Sequence, residues 1–323
     1  MEQRRSAERS GTTDVAIACQ GGGSHTAFTA GALQRLLQSG GHRVVALSGT
    51  SGGAICALLA WYGLQTGGPA EAARLLDEFW RSNSATTLLE RLRNAWLVGL
   101  ARLEGRVTLP VLSPYSYPQV ARAALTDLLT THVDFAEVAR LQESPPDGQP
   151  LLLVGAVDVL SGEHRSFSSA KGDITLEAVL ASAALPLIFR AVRVGDDYYW
   201  DGLFSHNPPV RELHDAAPEE LWLVRINPVT RPDEPRTVPD IADRRNELSG
   251  NLSLAQELYF IRKVNQWVDR LGEPYRRVEV REMALGLDLD VASKLDRSPA
   301  LIARLVEHGR EEADRFLRHA GSG

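Results

Sequence analysis

Only two cysteines, Cys19 and Cys56, occur in the 323 residues. Both lie in apolar surroundings, which argues against a disulfide framework or a thiolate metal site and for reduced packing residues of a cytoplasmic protein. A basic surplus is missing as well. The formal charge is −6, so the electrostatic footprint of a nucleic-acid binder is absent and no nucleic-acid partner is expected. No apolar run approaches the about 20 residues that span a bilayer; the most apolar stretch runs only from Gly53 to Gly63. The opening MEQRRSAERSGTT lacks the apolar segment of a secretory signal. It reads as a disordered leader, residues 1–13, ahead of one domain spanning 14–323. No H-E-x-x-H or similar ligand spacing occurs, so metal-dependent hydrolysis is not expected.

What is present is a hydrophobic content of 44% against 24% charged residues, enough for a soluble domain with a sizeable core. Asp14–Gln20 reads as a short buried strand, His25–Gln38 as a helix ended by Gly40-Gly41, Arg43–Leu47 as a second strand and Gly52–Leu64 as a second helix. Strand–helix–strand–helix order predicts an α/β fold of three layers, α/β/α, around a mainly parallel sheet. The middle, from Glu71 to about Leu141, reads as helical. Strand signals return at Pro150–Val159 and His164–Ser168, in a pair around the turn Gly195-Asp196-Asp197, and at Leu221–Ile226. A C-terminal, largely helical extension is expected from about residue 240 to 323, with helices at Asp243–Leu271 and Pro299–His319 and a strand at Arg276–Val280 between them.

The segment VVALSGTSGGAICALLAWYG passes from β-branched residues through small ones into an apolar helix. Its Gly49-Thr50-Ser51-Gly52-Gly53 fits G-x-S-x-G, the nucleophile elbow. Small neighbours let strand and helix approach, the serine hydroxyl is exposed by a strained turn, and the amide of Gly52 at the helix N-terminus faces developing negative charge.

Gly21-Gly22-Gly23 follows the first strand directly. Consecutive glycines leave amides unobstructed at a helix start, an anion cradle. A dinucleotide site is the competing reading. It fails because Thr26 stands where the last glycine of G-x-G-x-x-G belongs, and no Asp or Glu occurs between Asp14 and Glu71. An oxyanion hole built from Gly21, Gly22, Gly23 and Gly52 suits the pattern better. The third element is Trp200-Asp201-Gly202 after Tyr198-Tyr199. A free aspartate, with a pKa near 3.9, is a weak base, and burial beside aromatic rings strengthens it.

Together, GGGSHTAFTAGAL, GTSGG and DGLFSHNPP resemble the patatin-like phospholipase family, over roughly residues 14–227. The resemblance implies a Ser–Asp dyad, here Ser51 and Asp201, working without cofactor or metal as a phospholipase A or lysophospholipase-type serine esterase. It also implies a lipid or other acyl-ester substrate and allows peripheral contact with a membrane. Asn207-Pro208 is similar to the asparagine and proline that follow the family's aspartate. Two positions depart from the family. His25-Thr26 replaces the usual Arg or Lys followed by Gly, and Leu203 replaces a glycine or alanine. His25, Leu203 and Asn207 are therefore candidates for the substrate-pocket wall.

Two rival readings stay open. One is a Ser–His–Asp esterase or thioesterase in which a histidine after the acid relays the proton, His206, His214, His308 and His319 being available and His206 the nearest to Asp201 in sequence. The other is a catalytically silent binding or scaffold protein of the same fold, which His25 and Leu203 would favour. Ser168-Ser169-Ala170-Lys171 matches S-x-x-K, lacks partner motifs and reads as a strand end and turn. Residues 86–106 carry Leu89, Leu92, Trp96, Leu100 and Leu103 at helical spacing, with more arginine than glutamate. This stripe fits either a core-covering helix or one lying on an anionic lipid surface.

Overall fold

The computed structural model describes residues 11–103, 113–186, 188–272 and 276–320. Residues 1–10 of the expected leader, and Glu104 and Arg106 of the 86–106 segment, lie outside them. The chain opens with β1 (Thr13–Cys19), a 3₁₀ turn (Gly23–Thr26), α1 (Ala27–Gln38), β2 (His42–Thr50), α2 (Gly52–Thr66) and α3 (Gly68–Asn83). Next come α4 (Leu88–Leu103), α5 (Val120–His132), α6 (Phe135–Glu143), β3 (Leu151–Asp158), β4 (His164–Ser168) and α7 (Leu176–Ser182). The hairpin β5 (Val192–Val194) and β6 (Asp197–Asp201) leads to β7 (Glu220–Arg225), α8 (Val238–Leu271), β8 (Glu279–Ala284) and α9 (Pro299–Ala320).

Among the described residues all eight strands join one sheet. Its body is parallel, in the order β3-β2-β1-β7-β8; β4 and β6 pair antiparallel with β3, and β5 pairs antiparallel with β6. Alternation along β1 sorts side chains to two cores: Val15, Ile17 and Cys19 to one face, Ala16 and Ala18 to the other. The first face carries α1, α2, α3 and α9, with α5, α6 and α7 toward the β3 side. The second is covered by α8, through Leu254 and Leu258, and by Val210 and Leu213. This is the three-layer α/β/α arrangement.

Helix α2 is buried nearly all round, from Gly53 to Trp61, which explains its unbroken apolar sequence. The strand expected at Arg276–Val280 lies a few residues further on. Its position is set by pairing Glu279–Ala284 with Glu220–Arg225, so that Val280 reaches the α8 face and Met283 the other. The C-terminal stretch is thus not only a helical extension, since it supplies the last strand of the sheet.

The placement of β6 positions the site. β3 pairs with β2 through Leu151–Gly155, with β4 through Leu153–Val157, and with β6 through Ala156–Asp158. The overlaps put β4 on one edge of β3 and leave β2 and β6 sharing the other, end to end. The last residue of β6, Asp201, therefore adjoins the point where β2 gives way to α2.

Candidate active site

Ser51 occupies that junction. Its backbone has φ 57° and ψ −129°, and Ala217 is the only other non-glycine residue at positive φ among the described residues. Such a conformation is costly for a side chain and persists where surrounding packing imposes it. The packing is close. A Cβ on Gly49 would stand 2.4 Å from the Gly53 carbonyl, and one on Gly53 would stand 2.3 Å from Cys19 O. The Ser51 amide donates to Ser182 Oγ (2.9 Å), which donates to Gly155 O (2.6 Å). Although Ser51 stands at the N-cap of α2, its hydroxyl makes no capping bond, so it is not spent on the helix while the helix start presents unpaired amides.

Asp201 is fully buried. Its amide donates to Ala184 O (3.0 Å) and its Oδ1 accepts from Leu203 N (2.9 Å). Oδ2 has no conventional hydrogen-bond partner. Burial pushes the carboxyl up to about 7, against the Leu203 N–H and the Ser51 hydroxyl, which both favour the charged form. The hydroxyl thus lies near enough to influence the carboxylate without forming a well-aligned bond to it.

The glycine loop lies against this pair. A Cβ on Gly21 would come within 2.8 Å of Ser51 Cβ. The Gly21 amide is already taken, donating to Asn207 Oδ1 (2.6 Å), and Gly21 O accepts from Asn227 Nδ2 (2.9 Å). Gly21 is therefore a tether rather than a free donor, which corrects the expected set. The amides of Gly22, Gly23 and Gly52 carry no hydrogen bond among the described residues.

The three expected pocket residues divide differently from their sequence reading. Asn207 is fully buried and braces the loop. Leu203 contributes its amide to Asp201. His25 is buried and directed at Ser293 Oγ (2.7 Å from Nε2). Because Ser293 Oγ donates to Asp290 O, His25 Nε2 carries the proton in that contact. Burial, then nearby Lys294, push its pKa down to about 4, so it brings no positive charge to the loop at neutral pH. Neither His25 nor Asn207 is a free wall of a pocket.

Sequence reasoning missed Ser182, Gln20, Asn227 and Asn251. Gln20 Oε1 accepts from the amides of Ile226 and Asn227, and its Nε2 donates to Asn207 O (3.2 Å) and Asn251 Oδ1 (3.0 Å). This buried network ties the ends of β1 and β7 to the segment after Asp201. A polar residue closing an apolar strand was the sole signal for Gln20, and nothing in ASAALP marked Ser182.

His206 makes no hydrogen bond to Ser51 or Asp201 among the described residues. Its carbonyl accepts from Thr50 Oγ1 (2.8 Å), and its Nε2 lies 3.0 Å from Glu257 Oε1 without hydrogen-bond alignment. That side belongs to an apolar cavity of about 950 Å³ beneath α8, lined by Leu213, Phe260 and Val264 among others. Ser169 Oγ accepts from Leu152 N (2.9 Å) in the turn after β4, which gives the S-x-x-K stretch a structural use. Burial raises both thiols, Cys56 to about 12, so neither is a nucleophile at neutral pH. No cluster of potential metal ligands occurs among the described residues.

The family model for patatin-like phospholipases matches residues 17–214. No curated protein matches the chain. Among solved structures, VipD from Legionella pneumophila is 13% identical, with 96% of this chain and 67% of that chain covered and a TM-score of 0.49. ExoU in its complex with SpcU, from the type III secretion system of Pseudomonas aeruginosa, is 17% identical, with 96% and 52% covered and a TM-score of 0.39. The chain thus spans about two thirds of the VipD chain and about half of the ExoU–SpcU match.

Proposed function

The chain belongs to the patatin-like phospholipase family, and we propose that it hydrolyses acyl esters of lipids with Ser51 as nucleophile and Asp201 as its base. The observation that carries this reading is the fully buried Asp201, its pKa near 7, butted against a serine whose strained backbone leaves the hydroxyl uncapped. Ser51 Oγ attacks the ester carbonyl and its proton passes to Asp201. The amides of Gly22, Gly23 and Gly52 hold the oxyanion, each such donor contributing on the order of 3 kcal/mol. Asp201 returns the proton to the departing alcohol. It then deprotonates a water that releases the fatty acid from the acyl-enzyme.

Asn207, Asn227 and Ser182 act in this reading as positioning residues for the loop and the elbow. The histidine-relay alternative loses support from His206, which is turned toward Glu257. The silent-scaffold alternative loses the support of His25, whose contact with Ser293 gives it a packing role. Among the described residues no helix is long and apolar enough to cross a membrane, and we propose cytoplasmic action with peripheral access to lipid.

A fluorophosphonate probe, followed by mass spectrometry of products from a mixed lipid extract, tests the assignment. Labelling should map to Ser51, and Ser51→Ala should abolish both labelling and fatty-acid release. An unlabelled Ser51 under lipid-mimetic conditions, with no product, would sink it.

A further inference from the structure

Helix α4 presents its apolar stripe outward. At 100° per residue, Leu88, Leu92, Trp96 and Leu89 fall within an arc of about 100°, and all four are exposed, Trp96 by 65% and Leu92 by 60%. Asn94 and Val98, on the opposite side, are the buried residues. No described side chain of α4 joins either core cluster. The helix is nonetheless firmly built. Thr87 and Glu90 form a reciprocal cap, Thr87 Oγ1 accepting from Glu90 N (3.2 Å) and Glu90 Oε2 from Thr87 N (2.9 Å). Asn94 Nδ2 donates to Asp296 Oδ1 (2.7 Å), while its Oδ1 accepts from Arg297 N (2.8 Å). Ordinary burial runs the other way, with the polar face to water.

Arg91 and Arg93 flank the stripe on its two sides. Both are exposed, and neither has an ion-pair partner among the described residues. In a chain of net charge −6, this local positive rim around leucines and a tryptophan complements an anionic lipid surface. The helix is also well sited. It packs on the turn Val291–Lys294, which in turn packs on Gly23–Thr26. The Lys294 carbonyl stands 2.4 Å from where a Gly23 Cβ would be. We propose that the outward face of α4 docks on an anionic bilayer and holds the Ser51 site at the lipid surface. This rests on the lipid-hydrolase reading above for its purpose but not for its test.

The test uses the full chain carrying Ser51→Ala, so that binding is read without turnover, and sedimentation with vesicles of phosphatidylcholine alone or mixed with phosphatidylglycerol. Binding should be roughly tenfold or more tighter to the anionic vesicles. Leu92→Glu with Trp96→Glu should remove it, and Arg91→Glu with Arg93→Glu should remove the anionic preference. Brominated lipid should quench tryptophan fluorescence, and Trp96→Phe should abolish most of that quenching. In the otherwise wild-type chain the glutamate pair should leave Tm within about 2 °C and turnover of a soluble short-chain ester unchanged, while vesicle hydrolysis falls about tenfold or more. Vesicle binding that is absent, or unaffected by the glutamate pair, overturns the proposal. So does a solution dimer, seen by light scattering, that the pair dissociates, because a second copy then covers α4. Soluble-ester hydrolysis without vesicle binding defeats this inference alone, and vesicle binding without hydrolysis of any ester defeats the hydrolase reading alone.

Discussion

Thr50 and Asp201 are paired to consecutive residues of β3, Thr50 to Gly155 and Asp201 to Ala156. One residue beyond Thr50 is Ser51, so the sheet brings serine and carboxylate together without a dedicated loop. Ser182 reinforces the junction by linking the Ser51 amide to the Gly155 carbonyl. The arrangement depends on hydrogen-bond ladders, which hold geometry better than side-chain contacts alone.

Activity should titrate with Asp201. With the free-protein pKa near 7, kcat/KM for a soluble ester should rise with pH, bend near pH 7 and then level off. Asp201→Asn should remove the bend and lower turnover by about a thousandfold or more. A flat profile from pH 5 to 9 in the wild-type protein would place the base elsewhere.

The same carboxyl should tax stability at alkaline pH. Its folded pKa is raised from 3.8 to about 7, so between those values the folded state holds a proton that the unfolded state releases. Its favourable contribution is complete below about pH 4 and is lost as pH rises through about 7. Asp201→Asn should therefore stabilise the protein more at pH 8 than at pH 5, with up to roughly 4 kcal/mol at stake. Denaturant unfolding at the two pH values checks this, and equal effects would contradict the buried, raised carboxyl.

Asn207→Ala should leave the buried Gly21 amide unpaired. The cost is about 1–3 kcal/mol of stability, and a loosened loop should lower kcat more than it raises KM. Ser182→Ala should act likewise on the elbow. If either variant changed KM alone, the residue would bind substrate instead of positioning the loop or serine.

His206→Ala should keep turnover within about threefold of wild type, since the ring lies beside Glu257 and makes no hydrogen bond to Ser51 or Asp201 among the described residues. Loss of activity here, with Asp201→Asn nearly normal, would revive the histidine relay.

Extended dialysis against EDTA should leave ester hydrolysis unchanged, because a serine attacked-carbonyl mechanism with amide donors needs no Lewis acid. A loss restored by one divalent cation would refute that mechanism.

Local pattern alone determined a great deal. The order β1–α1–β2–α2, the elbow at Ser51 and the glycine loop were legible because each depends on residues adjacent in the chain: period-two alternation, helical period, and glycines where strand and helix converge. The tertiary structure decided what pairing over long range decides. It chose Asn207 as the partner of the Gly21 amide, turned His25 toward Ser293, brought in Ser182 beside Ser51 and moved β8 along to match β7. It also settled which way α4 faces. Helical period shows that Leu89, Leu92 and Trp96 share a side, but whether that side meets protein or solvent depends on what the rest of the chain packs there. Here Asp296 and Arg297 claim Asn94 on the opposite side. Periodicity belongs to one element, whereas burial belongs to two.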